Sequence, residues 1–84
     1  MPSAKYHYVY ILTSLEDPSR HYIGITSDLA ARLKKHNEGG SSYTSKYRSW
    51  RIETVIAFSD KKKAVAFEAY LKTGSGREFT RRHL

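Results

Sequence analysis

Tyr22-Ile23-Gly24-Ile25-Thr26-Ser27-Asp28-Leu29-Ala30-Ala31-Arg32-Leu33-Lys34-Lys35-His36-Asn37 decides the fold. Tyr22, Ile23 and Ile25 suit a pleated strand. Ser27 or Asp28 can then cap a helix, a contribution of about 1 kcal/mol. Leu29 and Leu33, four residues apart, share the face that seeks a core. Arg32 and His36 have the same spacing and flank that face, so a cation sits at the border between core and water. Gly24 interrupts the strand just upstream, and a glycine inside a strand often marks the close approach of another backbone or a ligand. A strand glycine, a neighbouring Tyr and an Arg one turn into the next helix can together receive a phosphate.

Upstream, Tyr6 to Thr13 alternates as a strand. Tyr6, Tyr8, Tyr10 and Leu12 point one way, and His7, Val9, Ile11 and Thr13 the other. Both faces carry apolar residues, which predicts a central strand covered on both sides. Ser14 to Arg20 contains Asp17-Pro18-Ser19 and reads as the turn of a hairpin to His21–Thr26. Residues 1–5 read as a loose end.

Downstream, the first helix runs from about Asp28 to Asn37, and Gly39-Gly40 ends it. Ser41 to Ser49 reads as a loop in which Tyr43 and Tyr47 interleave with Lys46 and Arg48. That pattern suits either a nucleic-acid surface, with rings on bases and cations on phosphates, or rings folded back onto the core. Arg51 to Phe58 is a third strand, with Ile52, Thr54, Ile56 and Phe58 on one face. Asp60 caps a second helix, Lys61 to about Lys72, whose buried stripe is Ala64, Phe67 and Leu71. Glu68 lies at the edge of that stripe. Lys61, Lys62 and Lys63 sit in the first turn, where the helix dipole disfavours cations. Thr73-Gly74 breaks the pattern, and Ser75-Gly76-Arg77-Glu78 has the form of a capping box for a short last helix. Phe79 can dock this helix, while Arg77, Arg81, Arg82 and His83 make its outside basic.

The 84 residues read as one domain, 1–84, of the α/β class: a three-stranded, mainly antiparallel sheet flanked by helices. Seven Tyr, three Phe and one Trp must supply much of so thin a core. The absence of Cys excludes disulfides and thiolate metal sites and fits a reducing compartment. No apolar run reaches the length of a membrane span, so a cytoplasmic protein with no membrane partner is expected. Fifteen Lys and Arg against eight Asp and Glu give a net charge of +7. On so short a chain such a field favours a polyanion, with nucleic acid ahead of a membrane surface.

The chain resembles the GIY-YIG nuclease domain, and in particular its small stand-alone bacterial members. Tyr8-Val9-Tyr10 stands for the first motif half, Gly-Ile-Tyr, and Tyr22-Ile23-Gly24 is the second half unaltered. The family's helical Arg and His match Arg32 and His36, and its metal-binding Glu matches Glu68. The likeness spans about Tyr8 to Leu84. It departs in having Tyr8 for Gly and Val9 for Ile. There is also no Asn after Asn37 to match the family's C-terminal Asn; Lys72, Thr73 and Ser75 are the candidates to replace it.

The resemblance implies an endonuclease that hydrolyses phosphodiester bonds in DNA and acts in DNA repair. Tyr10, Tyr22, Arg32, His36 and Glu68 would be catalytic, with either Tyr10 or Tyr22 accepting the proton of the attacking water. Glu68 would hold one Mg²⁺ or Mn²⁺, and its being the one well-placed carboxylate argues for a single ion. Gly24, Lys46, Arg48, Lys72 and Arg77 would touch substrate. A protein partner for targeting, and a monomer or weak dimer, complete the expectation. Each residue also has an ordinary alternative. Tyr10 and Tyr22 suit half-buried strands, and Gly24 can simply relieve crowding. Arg32 can pair with Asp28, His36 can complement a helix dipole, and Glu68 can pair with Lys72. The rival function is a nucleic-acid-binding module on the same scaffold that does not cut.

Overall fold

A computed structural model describes residues 5–39 and 42–84; Gly40, Ser41 and residues 1–4 of the expected loop and loose end lie outside the described residues. The order is β1 (His7–Ser14), β2 (His21–Thr26), α1 (Leu29–Asn37), α2 (Ser42–Lys46), β3 (Trp50–Phe58), α3 (Lys61–Leu71) and α4 (Gly74–His83). The sheet is antiparallel throughout, with β1 between β2 and β3. The α/β fold expected from the sequence is therefore present, with helices on both faces of a three-stranded sheet.

The double apolar pattern of β1 has the predicted cause. Val9 and Ile11 pack on one side with Ala64 and Leu71 of α3, joined by Phe67 and Phe79. Tyr10 and Leu12 pack on the other with Trp50, against Leu29 and Leu33 of α1. Asp28 caps α1 by accepting from the Ala31 amide at 3.1 Å, and Gly39 leaves it at φ +86°, a conformation suited to glycine. Asp60 caps α3 through the Lys62 amide at 2.8 Å. Among the described residues no helix is long and apolar enough to cross a membrane.

Three expectations need correction. First, Ile52 does not share a face with Thr54, Ile56 and Phe58. Ile11 pairs with Thr54 but Leu12 pairs with Ile52, so Glu53 is an extra residue, a β-bulge that resets the alternation. Ile52 joins Val55 on the Leu12 side, while Phe58 packs on the Val9 side.

Second, the stretch expected as a loop contains a one-turn helix, α2. It is held by burial rather than propensity. Thr44 is fully buried, and the Trp50 indole donates to its carbonyl at 2.7 Å. Asn37 at the end of α1 secures the same corner, accepting from the Trp50 amide at 2.6 Å and donating to its carbonyl at 3.2 Å.

Third, α4 begins earlier than the Ser75 capping box implies. The Thr73 hydroxyl donates to the Tyr70 carbonyl at 2.6 Å and accepts from the Gly76 amide at 3.0 Å, so one side chain closes α3 and opens α4. The junction is tight enough that a Cβ on Gly76 would collide with the Tyr70 carbonyl and the Leu71 Cα.

Candidate active site

The site is built where β1, β2 and α1 meet. Tyr10 and Gly24 are directly paired across β1 and β2, so both face α1. A Cβ on Gly24 would fall inside the Tyr10 phenol, meeting its oxygen, Cζ and Cε1. The close approach predicted at this glycine is therefore made by the Tyr10 ring. Gly24, named above as a substrate contact, has a packing duty here as the space into which Tyr10 fits.

Tyr10 is 2% exposed, and its phenol lies 2.9 Å from His36 Nε2. His36 is itself buried, with Nδ1 3.0 Å from the Thr44 hydroxyl. The helix-dipole alternative for this histidine fails, since its ring points inward between two hydroxyls. Tyr22 packs tilted against the same imidazole, with ring centroids 4.6 Å apart, and lies 6.4 Å from the Tyr10 ring. Unlike Tyr10 it is only half-buried, because β2 is an edge strand. Tyr43 of α2 extends the ring cluster at 6.3 Å from Tyr22.

The electrostatics bind the remaining two residues to this cluster. Burial first, then the neighbouring Tyr22 phenol, push the Tyr10 hydroxyl up to about 12; the Arg32 guanidinium opposes this by charge and hydrogen bonding, and the Glu68 carboxylate adds to it. Arg32 and Glu68, from two different helices, thus both act on the phenol of Tyr10. Arg32 has only donors to offer the phenol oxygen. The Tyr10 proton is then best placed toward His36 Nε2, leaving Nδ1–H to donate to Thr44. Burial first, then the charges of Arg32 and Lys35, lower the His36 pKa and keep the ring neutral.

These shifts set two limits on stability. The His36 contribution is fully present above the ordinary histidine value of about 6.5 and is lost as pH falls through the lower folded value. The Tyr10 contribution is present below the ordinary phenol value of 10.0 and is lost as pH rises through about 12. Urea midpoints are expected to fall on both sides of that window, and His36→Gln should flatten the acid limb.

Glu68 is also paired with Lys72 at 3.1 Å, its side chain 19% exposed. The pairing foreseen as its ordinary alternative is present, and so is the coupling to Tyr10. Among the described residues no group of three His, Cys, Asp or Glu converges to hold a metal ion. Glu68 is a single carboxylate whose charge is felt at the Tyr10 phenol. Asp28 caps α1 through the Ala31 amide.

The other residues expected to touch substrate are dispersed. Lys46 lies over the Tyr47 ring at 5.6 Å, and the Arg48 guanidinium sits where a Gly39 side chain would be. Both are on the α2 side, two rings away from Tyr22 through Tyr43 and Tyr47. Lys72 and Arg77 border a hollow that also contains Tyr22. Thr44 was not foreseen. Its sequence context, Ser-Tyr-Thr-Ser, gives no sign that it is buried against His36. Arg20, in the turn before β2, lies over the Tyr47 ring at 4.7 Å.

Comparison with known proteins identifies the family. Residues 6–82 match the GIY-YIG catalytic domain. A UPF0213 protein of Halalkalibacterium halodurans is 40% identical over 73 residues, covering 86% of this chain and 76% of the relative. A structure-specific endonuclease subunit SLX1 homolog of Giardia intestinalis is 38% identical over 65 residues, covering 73% of this chain. One from Talaromyces marneffei is 37% identical over 73 residues, covering 80% of this chain. The chain spans less than a fifth of the length of these two SLX1 relatives, 18% and 19%. With the catalytic-domain match running from the first strand through the last helix, the chain belongs to the GIY-YIG endonuclease family.

Proposed function

We propose that this chain is a divalent-metal-dependent endonuclease that hydrolyses phosphodiester bonds in DNA. The observation that carries the proposal is that His36 meets the Tyr10 phenol, Tyr22 packs beside both, and the charges of Arg32 and Glu68, from two helices, act on that same phenol. The endonuclease names of the SLX1 relatives support the same reading.

The two phenols divide the work by burial. Tyr10, sealed and held protonated, is the poorer base and serves to fix His36. Tyr22, half-buried at the sheet edge and so within reach of solvent, orients the attacking water and takes its proton. Arg32 offers a planar fork to the phosphate oxygens and stabilises the charge that builds on them. His36 and Thr44 hold Tyr10, and through it Arg32, in position.

The donor set fits Mg²⁺ or Mn²⁺, because such ions are held by one or two carboxylates, with water and substrate phosphate completing the shell. Glu68 would be the protein ligand of a single ion. When bound, the ion would supply a Lewis acid at the leaving oxygen. Lys72, now paired with Glu68, is placed to meet the same phosphate.

The test is cleavage of plasmid and branched DNA in Mg²⁺, Mn²⁺ or EDTA. Cutting is expected only with metal, and Tyr22→Phe should slow it by about 10²-fold or more. Salt-sensitive binding with no turnover in either metal would overturn the proposal in favour of a binding module.

A further inference from the structure

Beside the phenol cluster, between α4 and the edge of the sheet, lies a hollow of about 720 Å³. That is within the range of small-molecule sites. Ile11, Ile23 and Leu71 give it apolar walls. His21 and Glu53 supply polar groups from the sheet, with Thr80 opposite on α4. Lys72, Arg77 and Arg81 line it with positive charge. Tyr22 and Tyr43 also line it, so it is continuous with the candidate active site.

The β-bulge explains why a carboxylate is found there. As the extra residue of β3, Glu53 is swung beside Thr13, whose hydroxyl donates to it at 2.5 Å, with His21 Nδ1 3.9 Å away. Bulges are common next to active sites, where they re-aim a side chain. The proposed reaction assigns Glu53 no role.

We propose that this hollow receives one unpaired base of the nucleic-acid strand whose phosphate is held at Arg32 and Tyr22. The inference rests on the nuclease reading above and specifies the form of its substrate. A base has flat apolar faces and a polar edge, and the hollow has apolar walls with a polar end. A base still paired in a duplex cannot enter such a space, so the occupant is unpaired or turned out of the stack. Three cations against one carboxylate suit the flanking phosphates. Arg81 is shared with Glu78, and Lys72 with Glu68, whereas among the described residues no ion pair engages Arg77. Glu53 only accepts hydrogen bonds when ionised. It therefore favours bases that present an amino group, cytosine and adenine ahead of thymine.

The experiment uses the whole chain in EDTA, so that binding is read without cutting. Duplexes carrying one 2-aminopurine, either bulged out or fully paired, are titrated by fluorescence. The bulged duplex is expected to bind about tenfold more tightly, as one stacked base allows, with a change in 2-aminopurine emission. Thr80→Trp, which fills the hollow, should remove that preference and leave affinity for the paired duplex unchanged. If Thr80→Trp does not fold, His21→Trp fills the hollow from the sheet side. Glu53→Gln should weaken the preference for a bulged cytosine over a bulged thymine. Equal wild-type affinity for bulged and paired duplexes, or a preference that survives filling, overturns the inference. The two proposals fail separately. Metal-dependent cutting without base preference removes only the base site, and base preference without cutting in any metal removes only the nuclease.

Discussion

Glu68→Gln is expected to lower metal-dependent cleavage by at least about 10³-fold. The glutamine keeps the size of the side chain and can still accept from Lys72, so the fold and the helix should be undisturbed. What it loses is the charge that would hold a cation beside the Tyr10 phenol. Among the described residues no cluster of three or more His, Cys, Asp or Glu offers a ready-made alternative. DNA affinity in EDTA should hold or rise slightly, because a negative charge is removed from a surface that meets phosphate. Parallel cleavage and binding measurements check both halves. Cleavage within about threefold of the wild type would mean that any metal enters elsewhere. Arg32→Ala provides the contrast, since it should lose cleavage and weaken binding together.

Gly24→Ala is expected to destabilise the protein by about 2–3 kcal/mol, the upper part of the range for overpacking a buried site. The new methyl would overlap the Tyr10 ring, which is 2% exposed and is held by His36, with little space to move into. If the fold yields by displacing Tyr10, the link to His36 breaks and cleavage falls with it. Thermal or urea unfolding measures the first effect. A double variant, Gly24→Ala with Tyr10→Leu, separates the cause. The pair should cost less than the sum of the single changes, because the smaller side chain vacates the space the methyl needs. Strict additivity would show that the collision is not with Tyr10.

Much of the scaffold is legible in the sequence because its signals are local. The two-faced alternation of β1, the Asp28 and Asp60 caps and the positive-φ glycine after α1 each act within a few residues, and each holds. The misreadings occur where distant contacts win. Ile52, Thr54, Ile56 and Phe58 keep a period of two on paper. The bulge at Glu53 becomes visible only when β3 is laid against β1. The α2 turn forms because Thr44 and Trp50 are buried together, although its composition is that of a loop. Thr73 outcompetes Ser75 as a cap because it also reaches back to α3.

The site divides in the same way. The order of Tyr10, Tyr22, Arg32, His36 and Glu68 along the chain was enough to nominate them. Their different surroundings depend on depth. The two tyrosines are chemically identical in the sequence and differ only because one strand is central and the other is at the edge. His36 reads as a surface histidine until α2 closes over it.

That difference in strand position has a dynamic consequence. Backbone amides of β1 are enclosed between two neighbouring strands, so their hydrogen exchange should require unfolding of the whole sheet. Those of β2 can be released by fraying of a single ladder. Tyr10 therefore sits on the slowest-exchanging part of the backbone, whereas Tyr22 rides on a segment free to adjust by small openings. On the proposed reading, the fixed phenol would keep the geometry and the compliant one would meet an incoming strand.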